Sequence, residues 1–242
     1  MPLSAEEIAA LNERHASSSI EEVVRTVLAL DPSHATLALS LSVEDTVLLH
    51  VLAESAKALG IQAHAFALDT GRLPEETYQI LDEVRQKYSN VTIDVLFPDA
   101  TAVEKLMRIK GPYSFYESVE NRKECCHIRK VEPLGRVLKG KTSWMTGLRR
   151  EQSVTRADIA LFERDDAHEG MLKVSPLASW SEPMVYDYAK AHNVPVHPLH
   201  RRGFPSIGCE PCTRAVQPGE DIRAGRWWWE NADQKECGLH SS

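Results

Sequence analysis

The chain has 242 residues, 43% of them hydrophobic and 26% charged, with a formal net charge of -7. That is enough apolar content for one good core, and the acidic balance excludes a nucleic-acid binder held by bulk positive charge. No apolar run approaches bilayer length, and the opening MPLSAEEIAALNERH has neither a basic region nor a long apolar one, so no membrane association and a cytoplasmic setting with reduced thiols are expected.

Ser4 and Glu7 stand at capping-box spacing and open a short amphipathic helix. A second helix follows Ser17–Ser19 through IEEVVRTVLAL. Residues 36–42 read as a buried strand feeding a helix that Gly60 stops. The next strand spans 62–69, and Pro74 sits near the first turn of the helix after it. Residues 91–97 read as strand and ATAVEKLMRI as helix. The stretch 113–138 is expected to be mostly helical and carries Cys125 and Cys126. Strands are expected over 142–148 and 172–178, and Ser181 caps a helix beginning EPMVYDY.

This alternation predicts an α/β fold, a single domain with a mostly parallel sheet and helices on both faces. From about residue 198 the chain is rich in Gly, Pro and Arg and loses periodicity, so a loop-rich C-terminal segment is expected. The chain is thereby divided into an α/β nucleotide-binding part, 1–197, and a C-terminal part, 198–242.

Four groups of residues could carry chemistry. The turn Ser40-Leu41-Ser42-Val43-Glu44-Asp45 joins a strand to a helix N-terminus, where backbone N–H groups suit a phosphate. A serine there can equally be a simple cap, and the turn lacks the glycines of a dinucleotide or Walker fingerprint. The five cysteines form an adjacent pair, Cys125–Cys126, a C-x-x-C, Cys209–Cys212, and the single Cys237. Two thiolate pairs from distant segments can close round zinc or an iron–sulfur cubane, whereas a bridge between adjacent cysteines is strained. Lys130, Arg149, Arg150, Arg156, Arg223 and Arg226 form either a solvated basic face or an anion site. Cys237, in Glu-Cys-Gly-Leu-His240, is either an incidental cysteine or a thiol whose pKa His240 lowers.

The segments SLSVEDTVL, LDTGRLPEET, CCHIRKVEPL, TGLRREQSVTR, GCEPCTR, GEDIRAGRWWWE and KECGLH together resemble the assimilatory sulfonucleotide reductases, in their iron–sulfur adenylyl-sulfate (APS) reductase branch. They run from residue 40 to 240. The resemblance implies an adenine nucleotide alpha hydrolase-like fold. It also implies a [4Fe–4S] cluster on Cys125, Cys126, Cys209 and Cys212, with Cys237 as the nucleophile. Ser40 and Ser42 would lie in the phosphate turn, and Leu68 and Gly147 would border the adenosine. Lys130, Arg156, Arg223, Arg226 and His240 would surround the phosphosulfate, and Arg149 would be either a contact or a structural residue. Family members often carry a glycine in the phosphate turn, and this chain has Leu41-Ser42-Val43 there.

The implied activity is reduction of APS to sulfite and AMP through an S-sulfocysteine, in sulfate assimilation toward cysteine. The partner would be a thioredoxin or glutaredoxin-type reductant, and the protein could be a homo-oligomer. The competing readings are 3′-phosphoadenylyl sulfate (PAPS) as substrate, an ATP pyrophosphatase-type adenylyltransferase, and a non-catalytic cluster-binding module.

Overall fold

The computed structural model describes residues 2–153 and 156–231. Cys237 and His240 therefore lie outside the described residues. The helices are α1 (Ala5–Arg14), α2 (Ile20–Leu30), α3 (Val43–Leu59), α4 (Glu75–Lys87), α5 (Ala100–Lys110), α6 (Val119–Cys126), α7 (Glu132–Leu138) and α8 (Glu182–Ala191). The strands are β1 (Ala35–Ala38), β2 (Ala63–Leu68), β3 (Val91–Leu96), β4 (Ser143–Met145), β5 (Phe162–Asp165) and β6 (Met171–Val174). Among the described residues no helix is long and apolar enough to cross a membrane.

Local chemistry fixes several ends. Ser4 with Glu7 and Ser19 with Glu22 each close a reciprocal capping box. Gly60 ends α3 in the left-handed region at φ 67°, a conformation in which a Cβ would be strained. Ser181 caps α8 by accepting from the Met184 N–H.

The sheet is ordered β3-β2-β1-β4-β6-β5. β1 runs parallel to both β2 and β4, with Leu37 opposite Ala65 and Thr36 opposite Trp144. β4 runs parallel to β6, and β5 closes the edge antiparallel, with Phe162 opposite Val174. The sheet is thus mostly parallel, as expected. The antiparallel β5 is an addition to the strands expected from sequence. β1, β4 and β6 are shorter than expected, because the apolar runs 36–42, 142–148 and 172–178 extend into buried turns. Strand order reverses at β1, whose chain neighbour β2 lies on one side and β4 on the other. In an open parallel sheet this reversal is where a ligand crevice opens, beyond the carboxyl ends of the strands.

The chain divides into two compact units. The first comprises residues 1–67, 76–94 and 140–198, and the second 68–75, 95–139 and the chain from Leu199. The grouping thus places the Cys125–Cys126 segment with the C-terminal segment. The main core belongs to the first unit. Val23, Val24, Val27 and Leu28 of α2 pack there with Val47, Leu48, Val51 and Leu52 of α3 and with the strands. A smaller core in the second unit consists of Phe115, Cys126, Cys209, Cys212 and Trp227.

Candidate active site

In the first unit the turn after β1 is built round two acidic residues on the first turn of α3. Leu41 is buried and takes φ 65°, a left-handed conformation costly for a branched side chain. The turn is therefore made without a glycine, its strain held in place by burial of the leucine. Ser42 is the N-cap of α3 and makes no side-chain bond to the helix. Ser40 donates to Asp45 Oδ2 from both its backbone N, at 2.6 Å, and its hydroxyl, at 2.5 Å. The other Asp45 oxygen accepts the Gly147 N–H at 3.0 Å. Asp45 thereby ties the loop after β1 to the loop after β4. Burial pushes its carboxyl up to about 6, against the bonds from Ser40.

Gly147 is needed for this close approach. A Cβ there would stand 2.3 Å from Asp45 Oδ1 and 2.8 Å from Glu44 Cβ. Glu44, also buried, organises the basic residues that follow. Its Oε1 accepts from Arg149 Nε at 3.0 Å and from Gln152 Nε2 at 3.0 Å. The Gln152 Oε1 in turn accepts Arg156 Nη1 at 2.5 Å. Arg149 is buried, and its Nη1 also donates to the Trp180 carbonyl at 3.3 Å. Arg149 is thus buried and paired with Glu44, and Arg156 is half-buried with Gln152 as one partner.

The second unit gathers the four cysteines. Cys125, Cys126, Cys209 and Cys212 line one pocket together with Arg72, Phe115, Arg122, Arg129 and Lys130. α6 delivers the adjacent pair at its C-terminus and continues into a π-helical turn, His127–Val131. π turns of this kind often mark functional sites, and this one carries Arg129 and Lys130, both buried. Arg129 Nη1 donates to the Thr70 carbonyl at 2.5 Å, and the Thr70 hydroxyl lies 3.2 Å from Cys209 Sγ. The Trp227 N–H bonds the Cys212 carbonyl at 3.2 Å, tying the tryptophan run to the C-x-x-C.

Electrostatics differ among the thiols. Burial raises Cys209, but Lys130, the Thr70 hydroxyl, Arg226 and Arg129 outweigh it, and its pKa falls. Cys212 is pushed up to about 12 by burial and by its neighbour Cys209. Burial also raises Cys125. Four buried N–H groups in this unit, Arg129 Nε, Arg226 Nε, Trp227 Nε1 and Trp229 Nε1, have no hydrogen-bond acceptor among the described residues. Buried donors of this kind are costly unless an acceptor meets them, and of these residues Arg129 lines the cysteine pocket. Among the described residues, no three His, Cys, Asp or Glu side chains are drawn together so as to hold a single metal ion.

Arg226 is buried and bonds the Ile207 carbonyl at 3.1 Å and Ser206 Oγ at 3.4 Å. Its guanidinium lies 4.8 Å from the Trp227 ring centre, and that of Arg122 lies 4.7 Å from it. Arg122 is paired with Glu230. Gly208 makes room for Arg226, since a Cβ there would stand 2.3 Å from Nη2. Arg223 is half-buried, and its backbone N donates to Asp221 at 2.8 Å.

The structure thus brings Ser40, Ser42, Gly147, Arg149 and Arg156 together in one unit, and the four cysteines with Lys130 and Arg226 in the other. Leu68 is the half-buried last residue of β2. Sequence reading missed Glu44, Asp45 and Gln152 as organisers of the first group, and Thr70, Arg72, Arg122 and Arg129 in the second. Thr70 and Arg72 sit within the LDTGRLPEET segment, and Arg129 adjoins Lys130, so their neighbourhood was the available signal.

Residues 34–215 match the model of the phosphoadenosine phosphosulfate reductase domain family. An adenosine 5′-phosphosulfate reductase of Burkholderia cepacia is 54% identical over 201 residues, covering 83% of this chain and 78% of that protein. One from Neisseria meningitidis serogroup B is 48% identical over 206 residues, covering 85% of this chain and 82% of that protein. Among solved structures, the phosphoadenylyl-sulfate reductase of Candida auris superimposes with a TM-score of 0.74 at 24% identity, covering 89% of this chain and 99% of that one. The FMN adenylyltransferase of Candida glabrata superimposes with a TM-score of 0.56 at 14% identity, covering 98% of this chain and 81% of that one, a likeness of fold alone.

Proposed function

The chain belongs to the phosphoadenosine phosphosulfate reductase domain family, and from that premise we propose that it reduces adenylyl sulfate to sulfite and AMP, with electrons from a thioredoxin or glutaredoxin-type dithiol protein. The carrying observation is the convergence of Cys125–Cys126 and Cys209–Cys212 on one pocket. Relatives at 54% and 48% identity, named as reductases of adenosine 5′-phosphosulfate, support the choice of substrate.

A [4Fe–4S] cluster fits the four cysteines. Four thiolates need compensating charge and donors, and the pocket provides Lys130 and Arg129, whose buried Nε–H has no acceptor among the described residues. When bound, such a cluster would supply a structural tie and a fixed field, not the reducing electrons. The same thiols could take zinc. Iron and sulfide in anaerobically purified protein support the cluster, and stoichiometric zinc would displace it.

In the reaction proposed, the Cys237 thiolate attacks the sulfur of adenylyl sulfate. The bond from that sulfur to the bridging phosphate oxygen breaks, AMP leaves, and Cys237 carries a sulfonate. A thiolate of the dithiol protein then attacks Cys237 Sγ, and sulfite leaves with the electron pair of the broken S–S bond. The second thiol of the partner attacks the mixed disulfide and returns Cys237 as thiolate. The dithiol is oxidised by two electrons, and the transferred sulfur is reduced by two.

The residues of the first unit serve binding in this reading. The N–H groups at the start of α3, with Ser42, cradle the phosphate, while Ser40 and Gly147 are held in place by Asp45. By the family resemblance, Arg156, Lys130, Arg223, Arg226 and His240 are the residues that supply positive charge to the phosphosulfate. A thiolate approaching an anion needs such positive charge about the transferring group. Thiol chemistry of this kind suits the cytosol, where free cysteines persist. The test is sulfite release by anaerobically purified protein given reduced thioredoxin with either nucleotide. Faster turnover of adenylyl sulfate supports the proposal. Preference for the 3′-phosphorylated nucleotide would move the substrate assignment, and no sulfite from either would sink it.

A further inference from the structure

The second unit leaves a row of large side chains in solvent beside the cysteine pocket. Tyr113 is 62% exposed, Tyr116 and Trp228 are 40% exposed, and Met107 is 38% exposed. They form a contiguous surface. The Arg72 guanidinium lies 3.8 Å from Met107 Sδ and 6.0 Å from the Tyr113 ring centre. Tyr113 stacks with Tyr116 at 6.3 Å, and Tyr116 meets Trp228 edge-on at 6.2 Å. The row is also rigid: Arg72 is anchored on the Pro112 carbonyl at 2.6 Å, and the Tyr116 hydroxyl donates to the Pro211 carbonyl at 2.6 Å. Contiguous exposed aromatics on a fixed backbone mark interaction surfaces, because they bury large area at little cost in conformational entropy.

Its position indicates the partner. Arg72 also lines the cysteine pocket. At the other end, Trp228 precedes Cys237 by nine positions, and only six separate Asn231, the last described residue, from Cys237. Six residues span at most about 20 Å when fully extended. A molecule that attacks Cys237 therefore works within reach of this row.

We infer that the row Met107–Tyr113–Tyr116–Trp228 is the surface on which the dithiol protein docks to release sulfite from Cys237. The inference rests on the proposed reduction chemistry and adds the place of its second step. Two variants test it independently, the double substitution Met107→Ser with Tyr113→Ser and the single substitution Trp228→Ser. Three readouts are compared with the parent protein: S-sulfonation by adenylyl sulfate without reductant, sulfite release with reduced thioredoxin, and sulfite release with dithiothreitol. The expected result is unchanged sulfonation and unchanged release by dithiothreitol, with the KM for thioredoxin raised about tenfold or more. Unchanged KM for thioredoxin, or equal losses with both reductants, overturns the docking inference while leaving the chemistry standing. A change of sedimentation mass with unchanged KM gives the row to a second copy of the chain and overturns it too. Absence of sulfonation in the parent overturns the functional reading itself, and the docking inference with it.

Discussion

Removing the Glu230 carboxylate should destabilise the protein far more than a surface change would. The Arg122 side chain is 0% exposed and that of Glu230 is 3% exposed. The pair is bidentate, with Nε to Oε1 at 2.9 Å and Nη2 to Oε2 at 2.6 Å. Glu230→Ala would remove the bidentate carboxylate from a guanidinium that stays buried against Trp227. Breaking one side of such a pair costs about 3–5 kcal/mol. For a chain of this length each kcal/mol lowers the melting temperature by about 2–4 °C, so a fall on the order of 10 °C is expected. The paired replacement Arg122→Met with Glu230→Leu leaves no uncompensated charge and should recover most of that loss. The assay is thermal unfolding of anaerobically purified variants, with iron content measured on the same samples. A single variant within about 1 kcal/mol of the parent, or a double variant as unstable as the two single losses combined, would refute the reasoning.

Three further outcomes concern the first unit. Gly147→Ala forces a Cβ to 2.3 Å from Asp45 Oδ1, so a loss of about 1–3 kcal/mol is expected in urea unfolding, together with weaker AMP binding in calorimetry. Gln152→Ala frees Arg156 from its 2.5 Å bond. It should raise the KM for adenylyl sulfate about tenfold in steady-state kinetics, equivalent to one lost charge-assisted bond. Asp45 has its carboxyl raised from 3.8 to about 6 by burial, so between those values the folded state holds more protons than the unfolded. Stability should therefore fall as pH rises through that window and then level off. Chemical denaturation of the parent and of Asp45→Asn from pH 4 to 7 should show this slope only in the parent.

The alternation of strands with helices was legible because each carries its own period, and caps such as Ser4 with Glu7 are local signals. The strand ends were not legible. Leu39 and Leu41 are as buried as β1 itself yet lie beyond it, and Leu41 turns to a positive φ. An apolar run records burial, not pairing. β5 escaped because Phe-Glu-Arg-Asp pairs at an open edge and shows little alternation. The two cysteine pairs were legible as a set, since clustered thiols in a chain expected to be cytoplasmic point to metal. Their surroundings were not, because contacts such as Thr70 with Cys209 join positions far apart in the chain. Arg149 reads as ligand or scaffold from the sequence, and its bond to Glu44 likewise joins positions far apart in the chain. Cys237 took its role from the setting Glu-Cys-Gly-Leu-His alone, and it lies outside the described residues.

That makes Cys237 the residue on which the account depends most. The most direct test is to incubate anaerobically purified protein, without reductant, with adenylyl sulfate carrying radioactive sulfur, then map the label by peptide mass spectrometry. The account predicts one sulfonate per chain on the peptide containing Cys237, AMP released in equal amount, and no label on Cys237→Ser. Full labelling of Cys237→Ser, or sulfite formed with no protein-bound sulfonate, would contradict it.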